Sequence, residues 1–139
     1  MQPRVKAIGG VFFKSEDPEA IKSWYKEHLG IQTGEYGSTF GWRHFNDKEQ
    51  KGYTAWCPFN EDTKYFQPSE KSFMINYRVD DLEGLIENLR ESGVKIVGEI
   101  ENYEYGKFAH IMDPEGNKIE LWESDDEEFG KILGDAFTV

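Results

Sequence analysis

Residues 113–122 have the sequence DPEGNKIELW, in which a turn is followed directly by a strand. The proline and glycine in residues 113–117 favour a tight hairpin turn, because proline fixes its own φ and glycine adopts left-handed backbone angles without steric cost. After the turn, charged or aromatic residues alternate with aliphatic ones, which is the two-residue period of a strand with two different faces. The alternation predicts that Lys118, Glu120 and Trp122 share one face.

The strand before this turn can be placed in register with the strand after it. Centring the hairpin on Glu115 pairs His110 with Glu120 and Phe108 with Trp122. Directly opposed residues of an antiparallel pair lie on the same face and within contact distance. The sequence therefore predicts an imidazole beside a carboxylate, which is either an acid–base pair or an ion pair that stabilises the sheet.

Two helices are predicted from their caps and apolar spacing. The first begins at Asp17, where an N-cap acceptor precedes a proline, and ends before Gly30. The second begins at Asp81 and ends before Gly93. The apolar faces at helical spacing are Ile21, Trp24, Tyr25 and Leu29 in the first helix, and Leu82, Leu85, Ile86 and Leu89 in the second.

The elements repeat along the chain with an offset of 64 residues, which takes Asp17 to Asp81 and Gly52 to Gly116. We interpret the chain as two βαβββ modules, at about 1–62 and 70–125, joined by a connector at 60–72. The alternative is a chance similarity between two α+β segments. The strands are predicted at Val5–Phe13, Phe40–Phe45, Tyr53–Cys57, Phe73–Val79, Lys95–Glu101, Phe108–Met112 and Lys118–Glu123.

Charge and composition exclude several classes of partner. The 139 residues include 27 Asp and Glu against 16 Lys and Arg, a formal net charge of −11, which disfavours nucleic acid and anionic membrane surfaces. Aromatic residues make up 15% of the chain and can supply a core. A single cysteine, Cys57, excludes an intrachain disulfide and fits a reducing compartment, so we expect a cytoplasmic protein.

Residues 126–139 follow the second module as an acidic tail. Five acids occur in the six residues Glu123–Glu128. This composition favours a solvated tail, helical in part. The alternative is a partner-facing extension anchored by Phe129, Ile132 and Leu133.

The hairpin at residues 113–122 resembles the last hairpin of the glyoxalase/bleomycin-resistance/dioxygenase group, the vicinal oxygen chelate superfamily. Residues 78–94 resemble the start of its second module and residues 17–30 the start of its first. The resemblance covers about residues 5–123. It implies an α+β fold in which two βαβββ modules form a curved, partly closed sheet around a cleft, with the helices outside. Members of this group often dimerise, so a homodimer is expected.

The same resemblance places the family's metal ligands on the first and last strands of each module. The corresponding positions here are Gly10, Trp56, Met74 and Glu120. Only Glu120 offers a ligand suited to a hard divalent metal, and such sites need three or more protein ligands. We therefore expect no four-ligand metal site and no other cofactor. A two-ligand site made by His110 and Glu120, completed by water or by His44, is the alternative.

Three functions are open for this cleft, and the resemblance favours the first two. The first is metal-free binding of an aromatic or cationic ligand, as in bleomycin-resistance proteins. The second is a glyoxalase-type lyase or isomerase that uses His110 and Glu120 as catalytic residues. The third is a scaffold or dimeric interaction protein whose cleft is filled. The candidate ligand-binding residues are Phe12, Trp42, Trp56, Met74, Asn76, Phe108 and Trp122.

Overall fold

The computed structural model describes residues 3–138. Its elements follow the order strand, helix and strands twice over, although the first half is βαββ and not the predicted βαβββ. They are β1 (Val5–Ser15), α1 (Pro18–Leu29), β2 (Ser38–His44), β3 (Asp47–Asn60), β4 (Phe73–Val79), α2 (Leu82–Glu91), β5 (Ile96–Tyr103), β6 (Gly106–Met112), β7 (Lys118–Ser124), α3 (Asp126–Lys131) and β8 (Phe137–Thr138).

All eight strands form one mixed sheet in the order β5-β6-β7-β4-β1-β3-β2-β8. The two halves of the chain meet along the antiparallel pair β1–β4, and in each half the first strand runs parallel to the last, as β1–β3 and β4–β7. The first half contributes one strand fewer than the second. The edge position left over is occupied by β8, which pairs with β2. The predicted α+β fold class is confirmed.

Both predicted helices are confirmed, and their caps explain where they begin. The side chain of Asp17 accepts a hydrogen bond from the Ala20 amide at 3.1 Å, and Asp81 accepts one from the Gly84 amide at the same distance. Each bond satisfies one of the free amides at a helix N-terminus. At the end of α1, Gly30 has a φ of +73°, the left-handed cap expected of glycine.

Helix α2 packs on the sheet with the face that the sequence predicts. Leu82 and Ile86 are 0% and 4% exposed and form a core cluster with β4, β6 and β7. The residues that they join are Val79, Ala109, Ile111 and Leu121.

Helix α1 is less apolar on its inner face than predicted. Trp24 and Leu29 are 49% and 61% exposed, so the predicted apolar face of this helix is only partly buried. The inner face carries the buried Lys22, whose Nζ donates to the carbonyl oxygens of Gly34 and Glu35 at 3.1 and 2.7 Å. A buried ammonium must be hydrogen-bonded, and here its partners are the backbone of the α1–β2 loop and the carboxylate of Glu19, at 2.8 Å.

The C-terminal segment folds back onto the sheet, so the expectation of a solvated tail is wrong. The ring of Phe129 packs 4.9 Å from Trp122 and 5.6 Å from Tyr53. The buried guanidinium of Arg78 forms a salt bridge with Asp126, at the start of α3. Two interactions therefore hold this segment on the sheet. One is aromatic packing, and the other pairs a buried cation with a carboxylate.

No helix within residues 3–138 combines the length and the apolar composition that crossing a membrane requires.

Replacing Leu82 with alanine tests the packing of α2. Because Leu82 is fully buried, Leu82→Ala should lower the free energy of unfolding by about 2–5 kcal/mol in a urea denaturation experiment. Leu29→Ala is the matched control, and it should change stability by less than about 0.5 kcal/mol, since Leu29 is 61% exposed. Equal effects of the two substitutions would contradict the core described above.

Candidate functional site

The concave face of the sheet carries a cleft of about 570 Å³. Its floor comes from β1, β3, β4, β6 and β7, and its rim comes from the loop at residues 33–37 and from the C-terminal segment. A larger, more polar groove of about 970 Å³ lies between β3 and the β5–β6 turn. The cleft, and not this groove, brings Glu120 together with aromatic side chains.

Glu120 is the centre of a buried hydrogen-bond network on the cleft floor. It is 2% exposed, and three side chains from different elements bond to its two oxygens. Asn76 Nδ2 donates to Oε1 at 2.7 Å, while His110 Nε2 lies 2.8 Å from Oε2 and Tyr65 Oη donates to the same oxygen. Because an ionised carboxylate only accepts, His110 Nε2 carries the proton in this arrangement.

The predicted register of the β6–β7 hairpin is confirmed. His110 pairs with Glu120 and Phe108 with Trp122. The rings of Phe108 and Trp122 are stacked with centroids 5.5 Å apart, and Trp122 Nε1 donates to the carbonyl of Tyr105 at 3.0 Å. One wall of the cleft is thus a fixed aromatic surface.

Tyr65 reaches the site from the connector, and no pattern in the sequence indicates its role there. Burial and the neighbouring charge of Glu120 raise the pKa of the Tyr65 phenol far above its usual value, so the phenol stays protonated and donates. The buried Lys118 anchors the backbone of Tyr65, because its Nζ donates to the Tyr65 carbonyl oxygen at 2.6 Å. Burial also lowers the pKa of Lys118.

Trp56 does not lie on the cleft face, so this sequence-based placement is wrong. In the second half Asn76 pairs with Glu120, and the matching pair in the first half is Phe12 with Cys57. The offset between the last strands of the two halves is therefore one residue shorter than the offset of 64 between the first strands. A shift of one residue moves every side chain of a strand to the opposite face. Cys57 therefore lies on the cleft face, and Trp56 does not.

The ring of Trp56 packs on the helix side of the sheet. Its centroid lies 4.9 Å from Tyr25 of α1 and 5.3 Å from Phe13. It helps to hold α1 on the sheet and does not line the cleft.

Met74 and Trp42 are also placed differently from the sequence-based prediction. Met74 is 0% exposed and packs with Phe12 and the connector residue Phe66 in a small core cluster beneath the cleft. Trp42 lies farther along the sheet, where its ring contacts the Arg78 guanidinium at 5.2 Å and lines a separate cavity. Neither residue lines the cleft of about 570 Å³.

The other candidate ligand-binding residues do lie at the cleft. Phe12, Asn76, Phe108 and Trp122 line it together with Glu120. The remaining contributors are not predicted from the sequence, because most come from loops and from the C-terminal segment, and Cys57 and Phe59 lie on β3, whose predicted phase is one residue off. These are, among others, Glu35, Tyr36, Cys57, Phe59, Tyr65, Phe129, Leu133 and Asp135.

The side chains around Glu120 do not fit a divalent metal ion. Within residues 3–138, no three side chains among His, Cys, Asp and Glu are grouped as metal ligands. Gly10 has no side chain, Met74 is enclosed by aromatic rings, and both oxygens of Glu120 already accept hydrogen bonds. His44, the suggested third ligand, packs on Trp42 at 5.1 Å and does not line the cleft.

A family model described as "Glyoxalase/Bleomycin resistance protein/Dioxygenase superfamily" matches residues 8–121. The chain belongs to this superfamily. No curated protein matches it.

Solved structures with this fold include enzymes of the superfamily. A variant of methylmalonyl-CoA epimerase from Streptomyces coelicolor, in complex with 2-nitronate-propionyl-CoA, is 14% identical over 88% of this chain and 99% of its own, with a TM-score of 0.65. Methylmalonyl-CoA epimerase from Mycobacterium tuberculosis is 20% identical over 91% and 93%, with a TM-score of 0.57. The Mn(II)-bound glyoxalase from Novosphingobium aromaticivorans is 17% identical over 87% of this chain and 40% of its own, with a TM-score of 0.55. At these identities the likeness establishes the fold alone.

Alkylation of Cys57 tests the environment of the cleft floor. Burial and the charge of Glu120 raise the pKa of the Cys57 thiol to about 12, so little thiolate exists at pH 8. Iodoacetamide should therefore modify the folded protein roughly a thousandfold more slowly than the urea-unfolded chain, because the thiolate is the reactive form. Mass spectrometry follows the modification, and similar rates in the two states would contradict this environment.

Proposed function

We propose that this protein binds a compact aromatic or cationic small molecule in the cleft, without a resident divalent metal. The observation that carries the proposal is the network at Glu120. Three donors are hydrogen-bonded to the carboxylate of Glu120, and aromatic rings surround it. Glu120 stands at a position that the family uses for a metal ligand. Apolar walls with a few fixed polar groups are typical of small-molecule sites.

The charge of the cleft favours a cation. Three acids line it, namely Glu35, Glu120 and Asp135, and no lysine or arginine of the described residues does so. Low-dielectric walls focus the field of such charges toward the space between them. The rings of Phe12 and Trp122 add faces on which a planar or cationic group can lie.

The same charge disfavours a coenzyme A ester, the class of ligand in the complex of the Streptomyces coelicolor epimerase. Such esters carry several phosphate groups, which need cationic or amide donors. The acids Glu35 and Asp135 at the rim would repel them.

A lyase or isomerase activity that uses His110 and Glu120 is the second candidate. The hydrogen bond from His110 Nε2 to Glu120 Oε2, with Tyr65 on the same oxygen, favours it, because such a chain can hold a proton at Nε2 or at the phenol. Two features favour binding instead. His110 is 6% exposed and does not line the cleft, and Glu120 has no oxygen without a donor.

We further propose that the chain forms a homodimer in the cytoplasm. Apolar side chains are exposed on the helix side of the two central strands, where α1 and α2 leave the sheet uncovered. Ile8, Val11 and Phe73 are 43%, 36% and 40% exposed there. Apolar residues grouped in this way are typical of an interface.

Two probes of opposite charge test the proposed ligand class. 2-Phenylethylamine and 3-phenylpropionate share a phenyl ring, and the amine should bind at least about tenfold more tightly, because the acids of the cleft attract it. Isothermal titration calorimetry measures both affinities. Tryptophan fluorescence should respond to the amine in the Trp24→Phe variant, a surface control, and lose that response in Trp122→Phe. Preference for the carboxylate, or an unchanged response in Trp122→Phe, would refute the proposal.

Elemental analysis tests the absence of a resident metal. Protein purified without chelators should contain far less than one divalent ion per chain, because both oxygens of Glu120 accept hydrogen bonds and no three ligand-type side chains are grouped within residues 3–138. Chelator treatment should leave the melting temperature unchanged. A stoichiometric Mn, Ni, Fe or Zn content would show that the network rearranges around a metal.

A further inference from the structure

We propose that the cleft ligand donates an N–H hydrogen bond to Asn76 Oδ1, and that the cleft therefore selects protonated amines over quaternary ammonium ions. This inference rests on the proposed function, because it concerns the ligand of the same cleft. It goes further in naming the chemical group that is recognised and the atom that recognises it.

The orientation of the Asn76 carboxamide is fixed by Glu120. Asn76 is 1% exposed, and its Nδ2 donates to Glu120 Oε1 at 2.7 Å. Turning the amide over would place Oδ1 against a carboxylate oxygen, which sets two acceptors against each other. The Asn76 amide oxygen must therefore face away from Glu120.

Asn76 Oδ1 has no hydrogen-bond partner within the described part of the chain. Buried carbonyl oxygens almost always accept a hydrogen bond, since an unpaired one is costly. Two other buried side-chain atoms in residues 3–138 share this state, His44 Nε2 and Asp126 Oδ1. Of the three residues, only Asn76 lines the cleft.

The residue beside this oxygen is Gly9, and the amide oxygen occupies the space that a side chain at Gly9 would fill. A Cβ at Gly9 would lie 2.1 Å from Asn76 Oδ1, so any other residue at this position would collide with the amide. Gly9 also lines the cleft. The wall at this point thus consists of an unpaired acceptor and a residue without a side chain.

The neighbouring polar groups cannot provide the same recognition. Both oxygens of Glu120 are engaged by donors, and Ser38 Oγ is hydrogen-bonded to Thr138. The carboxylates of Glu35 and Asp135 attract any cation, whatever its substituents. A cation that carries an N–H can satisfy Asn76 Oδ1 as well, whereas a quaternary ammonium ion has no proton to donate.

Two probes that differ in this one property test the inference. N,N-Dimethylbenzylamine is protonated at pH 7 and carries one N–H, while benzyltrimethylammonium has the same ring and charge with a methyl group in place of that proton. Isothermal titration calorimetry should show the amine binding roughly tenfold or more tightly, as expected for pairing an otherwise unsatisfied buried acceptor. Two-dimensional NMR should show the largest carboxamide shift at Asn76 with the amine alone.

Variants separate the hydrogen bond from the charge. Glu35→Gln should weaken both probes by a similar factor and leave their ratio unchanged. Asn76→Ala should bring the ratio of the two affinities close to one. If this variant fails to fold, the affinities of the two probes for the native protein and the Asn76 NMR signals test the inference without it.

Equal affinities for the two probes, with no specific shift at Asn76, would overturn the inference and leave the proposed function standing. Binding of neither probe, at concentrations where 2-phenylethylamine also fails to bind, would overturn the proposed function and the inference with it.

Discussion

The fold of this protein is organised around one buried negative charge. A carboxylate taken out of water is costly unless hydrogen bonds replace its hydration, and Glu120 obtains them from three separate parts of the chain. Asn76 comes from a central strand, His110 from the neighbouring strand, and Tyr65 from the connector. Satisfying this one group therefore fixes the relative positions of β4, β6 and the connector.

The same arrangement explains why the side chains around Glu120 do not fit a divalent metal ion. Asn76, His110 and Tyr65 converge on its carboxylate, and Phe66 and Met74 fill the space beneath the cleft with apolar atoms. Hydrogen bonding and charge are therefore what these side chains offer to a ligand in the cleft.

Local signals in the sequence predicted what depends on local physics. Proline, glycine and capping aspartates set both helices and the last hairpin, and the pairing of His110 with Glu120 followed from turn geometry. The predicted position of Trp56 was wrong because the offset between the two halves is one residue shorter at their last strands than at their first strands. This difference moves Trp56 to the other face of its strand, and no local sequence pattern indicates it. The partners of Tyr65 and Phe129 do not follow from the sequence for another reason, since Glu120 and Trp122, which they contact, are not their neighbours along the chain, although one alternative names Phe129 as an anchor.

Each half of the molecule holds a loop of the cleft with one buried lysine. Lys22 binds the carbonyl oxygens of Gly34 and Glu35, and Lys118 binds that of Tyr65. Every residue type has a backbone carbonyl, so these anchors do not depend on which side chains the loops carry. Substitutions in the loops can therefore change which ligand the cleft prefers while the loop backbone stays in place.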